Sequence, residues 1–106
     1  MQLQTNMPIP LNSHISVSSA VLAQEVDGET VLLDMQTEDY FGLDQVGTRV
    51  WQLLLEHNQI QKILDIMLQE YDVEEKRLQG DLNDLLDKLL NKNLITFDTS
   101  GAKSDK

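Results

Sequence analysis

Cysteine is absent from the 106 residues, which removes disulfides, thiolate nucleophiles, cysteine-bound zinc and iron–sulfur clusters from consideration. A chain without them suits a reducing compartment, and the expected location is the cytoplasm. Proline occurs twice, at Pro8 and Pro10, and aromatic residues make up only 5% of the chain. Basic side chains are also scarce. Eight Lys and Arg face 18 Asp and Glu, giving a net charge of −10 that repels nucleic-acid phosphates and anionic lipid. No apolar run approaches the roughly 20 residues of a membrane span, and Met1 is not followed by a basic and then hydrophobic leader. A soluble, unprocessed chain of about one domain is expected, long enough for a modest core.

The charge is unevenly placed. Residues 15–43 hold six acids and no base, whereas residues 73–97 set Lys76, Arg77, Lys88 and Lys92 against five acids. Residues 1–14 carry both prolines without periodicity, and residues 98–106 are small, polar and charged, so both ends are expected to be flexible around a domain at 15–97. Inside it, "ISVS" and "AVLAQEV" are predicted strands. Asp27-Gly28 supplies turn chemistry, and "TVLLDM" is the returning strand of a hairpin. After the turn "QTEDY", Asp44 can cap a helix over about 44–56, whose Gly47 suggests close approach to the strands. Asn58 is placed as the cap of a second helix with Ile60, Ile63, Leu64, Met67, Leu68 and Tyr71 on its apolar stripe. A third runs from about Glu74 to Asn91, with Leu78, Leu82, Leu85, Leu86, Leu89 and Leu90 as a broad apolar face, and "NLITF" closes the chain as an extended segment. The expected class is α+β and winged-helix-like: a three-stranded antiparallel sheet followed by three helices.

No catalytic constellation emerges. His14 and His57 lack any metal-ligand spacing, and His57 is placed as a solvated cap at the end of the first helix. The acids Glu25, Asp27, Glu29, Asp34, Glu38 and Asp39 do not follow a calcium-loop pattern. Nucleophile-elbow, Walker and dinucleotide motifs are missing. Neither a cofactor, a metal nor enzymatic activity is expected. Tyr40, Phe41 and Trp51 lie where sheet and first helix must meet, and are placed in the core.

The predicted third strand poses a question. Val31, Leu33 and Met35 share one face and are assigned to the core, leaving Leu32 on the other with Thr30 and Asp34. Either a helix covers Leu32, or the strand is an edge whose free N–H and C=O groups accept an extended peptide.

The stretches "GETVLLDMQTEDYFGLDQVGTRVWQLL" and "YDVEEKRLQGDLNDLLDKLLNKNLI" resemble the PqqD family over about residues 15–97. The resemblance rests on an apolar strand, the turn Phe41-Gly42-Leu43 behind Tyr40, a helix bearing Gly47 and Trp51, and a Tyr-Asp-Val segment. Asp81-Leu82 ahead of Leu85, Leu86 and Leu89 completes it, with a terminal Leu94-Ile95. Two features depart from the pattern: Glu56-His57-Asn58-Gln59 replaces a glycine-containing turn, and Asn93 stands where a glycine is usual, although asparagine also tolerates a left-handed cap.

The resemblance implies a RiPP recognition element, a non-catalytic adaptor that captures the leader of a ribosomally made precursor peptide and presents it to a modifying enzyme. It also implies where the leader would lie, as an added strand beside Val31, Leu32, Leu33, Asp34 and Met35. The opposite wall would be the third helix near Arg77, Asp81, Asp84, Leu85 and Lys88. Gly80 could admit close approach there, or be a tolerated surface glycine. A lasso-peptide pathway with its leader peptidase and cyclase is favoured over a radical SAM partner, and the edge strand could also support a homodimer. The competing reading is a winged-helix DNA-binding regulator, using the basic residues of the third helix against an unfavourable overall charge.

Overall fold

The computed structural model describes residues 14–98. The elements run β1 (His14–Val17), β2 (Val21–Val26), β3 (Glu29–Asp34), β4 (Tyr40–Leu43), α1 (Gln45–Glu56), α2 (Ile60–Glu70), α3 (Glu75–Asn91) and β5 (Ile95–Asp98). The expected flexible ends lie largely outside the described residues.

Asp27 and Gly28 take φ values of 56° and 82°, the left-handed pair that matches the twist of a two-residue hairpin. Their turn sets Val26 opposite Glu29 and so fixes the whole β2–β3 register, including Ala23 opposite Leu32. Beyond β3, Asp34 holds the next turn. Its Oδ1 accepts from the backbone N–H of Gln36 at 2.9 Å and of Thr37 at 3.4 Å, an arrangement that satisfies a buried carboxylate locally. The chain then returns as β4, with Leu32 opposite Phe41 and Thr30 opposite Leu43.

The strand count expected for the sheet is met by a different set of strands. The three-stranded sheet has order β2-β3-β4, while β1 pairs with β5 in a separate two-stranded sheet. "ISVS" therefore belongs to the second sheet, and "YFGL", expected as a turn, forms a strand. This overturns the placement of residues 31–35 on an edge: β3 is central, and its backbone is engaged on both sides.

The face assignment is overturned as well. Leu32 is fully buried, with 0% of its surface exposed, whereas Val31 is 46% and Met35 57% exposed. Leu33 is half-buried, and Asp34 is buried as the turn-forming acid. Apolar alternation favoured the 31/33/35 set, but Leu32 lies opposite Phe41 and Thr30 opposite Leu43 on the face toward the helices, and Asp34 follows them there by strand alternation. Tyr40 also departs from expectation: it is 69% exposed, on the outer face opposite Leu33.

The helices follow their patterns closely. Asp44 caps α1, its Oδ1 accepting from Gly47 N–H at 2.8 Å. A Cβ on Gly47 would come within 3.3 Å of the Leu43 side chain, the close approach its place in the sequence suggests. For α2, Gln59 rather than Asn58 occupies the cap position, without a side-chain bond. The Asn58 carbonyl instead accepts from Ile15 N–H at 2.8 Å, tying β1 to the helices. His57 ends α1, its backbone N–H bonded to the Leu53 carbonyl. Asn93 takes the left-handed turn with φ of 60° and sends the chain into β5. Leu32, Trp51, Leu53, Ile63, Met67, Leu82, Leu86 and Ile95 meet in one core.

Candidate functional site: a groove between strand β4 and helix α3

The strand edge nearest α3 is the outer edge of β4, and backbone direction along it follows from the hairpin. In a two-residue hairpin the closing residues exchange both hydrogen bonds, and pairs then alternate. Glu29, Val31 and Leu33 therefore bond toward β2, leaving Thr30 and Leu32 to bond toward β4. Two contacts beyond the ladder keep the same parity: Met35 N–H reaches Ala20 O on the β2 side at 2.9 Å, and Asp34 N–H reaches Asp39 O on the β4 side at 2.9 Å. On β4 it follows that Phe41 and Leu43 bond back to β3. The N–H and C=O groups of Tyr40 and Gly42 point away, to the open edge.

Facing that edge across a cavity of about 520 Å³ is α3. The floor comes from Phe41, Leu43, Val46 and Gly47, and the far wall from Asp81, Asp84, Leu85 and Lys88, with Gly42 and Asp44 along the rim. The wall residues recur at spacings of three and four, which puts them on one face of the helix. Phe41 and Leu85 are half-buried and pack against the core, so the floor is apolar and anchored. Above it, three carboxylates, Asp44, Asp81 and Asp84, stand against the single ammonium of Lys88.

Of the expected site residues, Asp81, Asp84, Leu85 and Lys88 are brought together. Arg77 is exposed on α3 and does not line the cavity. Val31 to Met35 stand behind β4, so the strand wall moves to Tyr40–Leu43. Gly80 lies in open space, where an added Cβ would meet nothing within 4 Å, as befits a tolerated surface glycine. Sequence reasoning missed Gly42, Leu43, Asp44 and Val46 as groove residues. The available signal was the inward pair Phe41 and Leu43, which alternates as a strand requires.

Away from the groove, the guanidinium of Arg49 grips the Glu70 carboxylate with Nε and Nη2, Nε to Oε1 at 2.8 Å. This bond holds the Glu70 carboxyl below its ordinary range and pushes Arg49 further up. Among the described residues no group of His, Asp or Glu is arranged to hold a metal ion, and no helix is long and apolar enough to cross a membrane.

Fold and groove define a small α+β domain with an open strand edge facing a helix, a geometry suited to an extended peptide. The family model for coenzyme PQQ synthesis protein D (PqqD) matches residues 29–95, and the chain belongs to the PqqD family. Two solved structures are similar. The first is TbiB1 in complex with the TbiA(beta) leader peptide, at 44% identity and a TM-score of 0.71, covering 74% of this chain and 92% of that one. The second is a lasso peptide synthetase B1 complexed with the leader peptide, at 20% identity and a TM-score of 0.71, covering 78% and 98%. The latter supports the fold. No curated protein matches the chain.

Proposed function

We propose that the chain is a non-catalytic adaptor of a lasso-peptide pathway: it binds the leader segment of a precursor peptide as a strand added to β4 and presents it to the leader peptidase and cyclase. The observation that carries this is the Tyr40 and Gly42 backbone, which pairs with no further strand among the described residues and faces an apolar-floored cavity under α3. The 44% identity to TbiB1, whose structure holds a leader peptide, supports it. Main-chain bonds to Tyr40 and Gly42 supply sequence-tolerant affinity. Alternate side chains entering over Phe41, Leu43, Val46 and Leu85 supply selectivity.

Presentation needs a second surface. The outer face of the β2-β3-β4 sheet exposes Leu22, Val26, Val31 and Tyr40, and a strand on β4 would extend that face with its own outward side chains. The modifying enzyme docks there, reading adaptor and peptide together. The groove wall argues against DNA, because α3 presents two carboxylates for one ammonium along it. In a cytoplasm, the cysteine-free chain would need no oxidative step to fold.

Titration of the TbiA(beta) leader peptide, the ligand of the 44% identical TbiB1, by calorimetry tests the proposal. A Kd in the micromolar range or tighter, about 8 kcal/mol or more, is expected. Gly42→Pro deletes an outward N–H and should abolish binding; a folded Gly42→Pro protein that binds as tightly as the parent would exclude strand addition at β4.

A further inference from the structure

The sheet has a second open edge, on the side away from the groove. β2 begins the order β2-β3-β4, and among the described residues no strand lies beyond it. The parity that frees Tyr40 and Gly42 on β4 applies here too. Leu22, Gln24 and Val26 stand opposite Leu33, Val31 and Glu29 and bond to β3, so the N–H and C=O groups of Ala23 and Glu25 point outward. Val21 to Val26 pair with β3 residue for residue, without a bulge. The strand also lacks proline and lysine, two further devices that blunt an edge. Its one charge, the Glu25 carboxylate, is drawn toward α1 by Gln52 Nε2 at 3.0 Å.

The side chains on this edge fit a second copy of the same strand. On the outer face β2 presents Leu22, Gln24 and Val26, an amide between two aliphatic residues that are 55% and 58% exposed. Apolar, amide, apolar reads the same in both directions, so the row complements itself after a half-turn. With Gln24 opposite Gln24 of the second copy, Leu22 meets Val26 on each side of the axis. Ala23 then lies opposite Glu25, and their outward groups exchange both hydrogen bonds, twice over. Other registers are poorer. Moving the axis to Glu25 sets two like charges face to face. Moving it to Ala23 sets Leu22 against Gln24 and calls on Val21, whose N–H already goes to Ser18 O at 3.3 Å.

We propose that β2 is a self-association edge, through which two copies pair about a two-fold axis at Gln24. The product is one six-stranded antiparallel sheet, β4-β3-β2 continued by β2-β3-β4 of the second copy. Both β4 edges lie at its outer ends, so both grooves stay open and the pair presents two of them. The contact is isologous, and one pair of short strands makes it a weak one. Each copy carries a charge of −10, so added salt strengthens the pairing by screening the repulsion.

Because the chain has no cysteine, one introduced thiol reports on the axis. Gln24→Cys places two thiols across a non-hydrogen-bonded pair with Cα atoms about 4.5 Å apart, within disulfide reach. Val31→Cys, on the same exposed face, stands one strand further out on each side, at about 15 Å from its counterpart. Under oxidised glutathione, Gln24→Cys should cross-link at least about tenfold faster than Val31→Cys; equal rates overturn the proposal. Sedimentation equilibrium of the parent chain should show a dimer between about 0.1 and 1 mM, in a fraction that rises with salt. Ala23→Pro removes an outward N–H at an edge position that tolerates proline. It should be monomeric, with the circular dichroism spectrum of the parent and its affinity for the TbiA(beta) leader peptide. A parent chain that is monomeric throughout, or a folded Ala23→Pro that dimerises like the parent, overturns the pairing. Saturating TbiA(beta) leader should leave the dimer intact; a dimer that the leader dissolves is joined through β4, which overturns the assignment to β2.

Discussion

At the scale of single residues, Leu32 and Val31 are adjacent, both aliphatic, and opposite in consequence. Leu32 has no exposed surface and sits in the common core, so Leu32→Ala should cost about 2–5 kcal/mol through lost transfer energy and a cavity. Val31→Ala on the open face should stay within about 0.5 kcal/mol. Urea unfolding of the two variants measures both; equal losses would place the core on the wrong side of β3. The same contrast changes the meaning of a peptide-binding defect in a Leu32 variant, which would report unfolding. Asp44 couples stability to recognition differently, because it caps α1 and also rims the groove. Asp44→Asn retains a capping oxygen and should hold its stability nearly constant, whereas Asp44→Ala should lose about 1 kcal/mol. Thermal melts distinguish them.

At the scale of elements, α1 and α2 are tied by the Arg49–Glu70 pair, which is partly exposed. Glu70 is held below its ordinary carboxyl value by the hydrogen bond from Arg49 and its charge. A carboxylate with a lowered folded-state pKa contributes stability above its unfolded value, and that contribution disappears as pH falls through the folded one. The raised pKa of Arg49 has the opposite sign, its contribution being lost only at very alkaline pH. The melting temperature should therefore drop on acidification below the ordinary value of 4.5. Arg49→Met should flatten that part of the profile. An unchanged slope in a melting series would show that the pair is energetically silent, as many surface ion pairs are.

Elements also show how much could be read from the chain. The helices were legible because their apolar positions recur at three and four residues, their caps are local, and Gly47 marks a close approach with no long-range information. The hairpin was legible from Asp27-Gly28. The strand Tyr40–Leu43 was not, since a four-residue element after a loop of Gln, Thr, Glu and Asp carries too little periodicity to separate from a turn. Missing it made β3 look like an edge, and the strand wall of the site was displaced by one strand. Of the five helix residues expected there, Asp81, Asp84, Leu85 and Lys88 line the cavity and Arg77 does not; the four share a face by helical spacing alone.

At the scale of the whole molecule, charge and open edges matter most. The chain carries a net charge of −10, and the groove concentrates three carboxylates around one lysine. A leader with basic residues should therefore bind more tightly at low salt, losing affinity as screening shortens toward about 8 Å at physiological ionic strength. Titration across a salt series checks this; a flat response would assign recognition to backbone and apolar contacts. The outer edge of β4 could equally pair with a second copy, and the two uses compete for the same Tyr40 and Gly42 groups. Light scattering at rising concentration should show any self-association through that edge reversed by added leader.

The sequence by itself determined the α+β class, the three helices and their core faces, the hairpin turn and the family resemblance. Each depends on local spacing, composition or residues close together in the chain. Tertiary structure alone decided that β3 is central, that Leu32 points inward and that β4 offers the open edge. Those are properties of strand pairing: a strand's pattern marks two faces, but which one meets the helices, and which edge stays free, depends on partners many residues away.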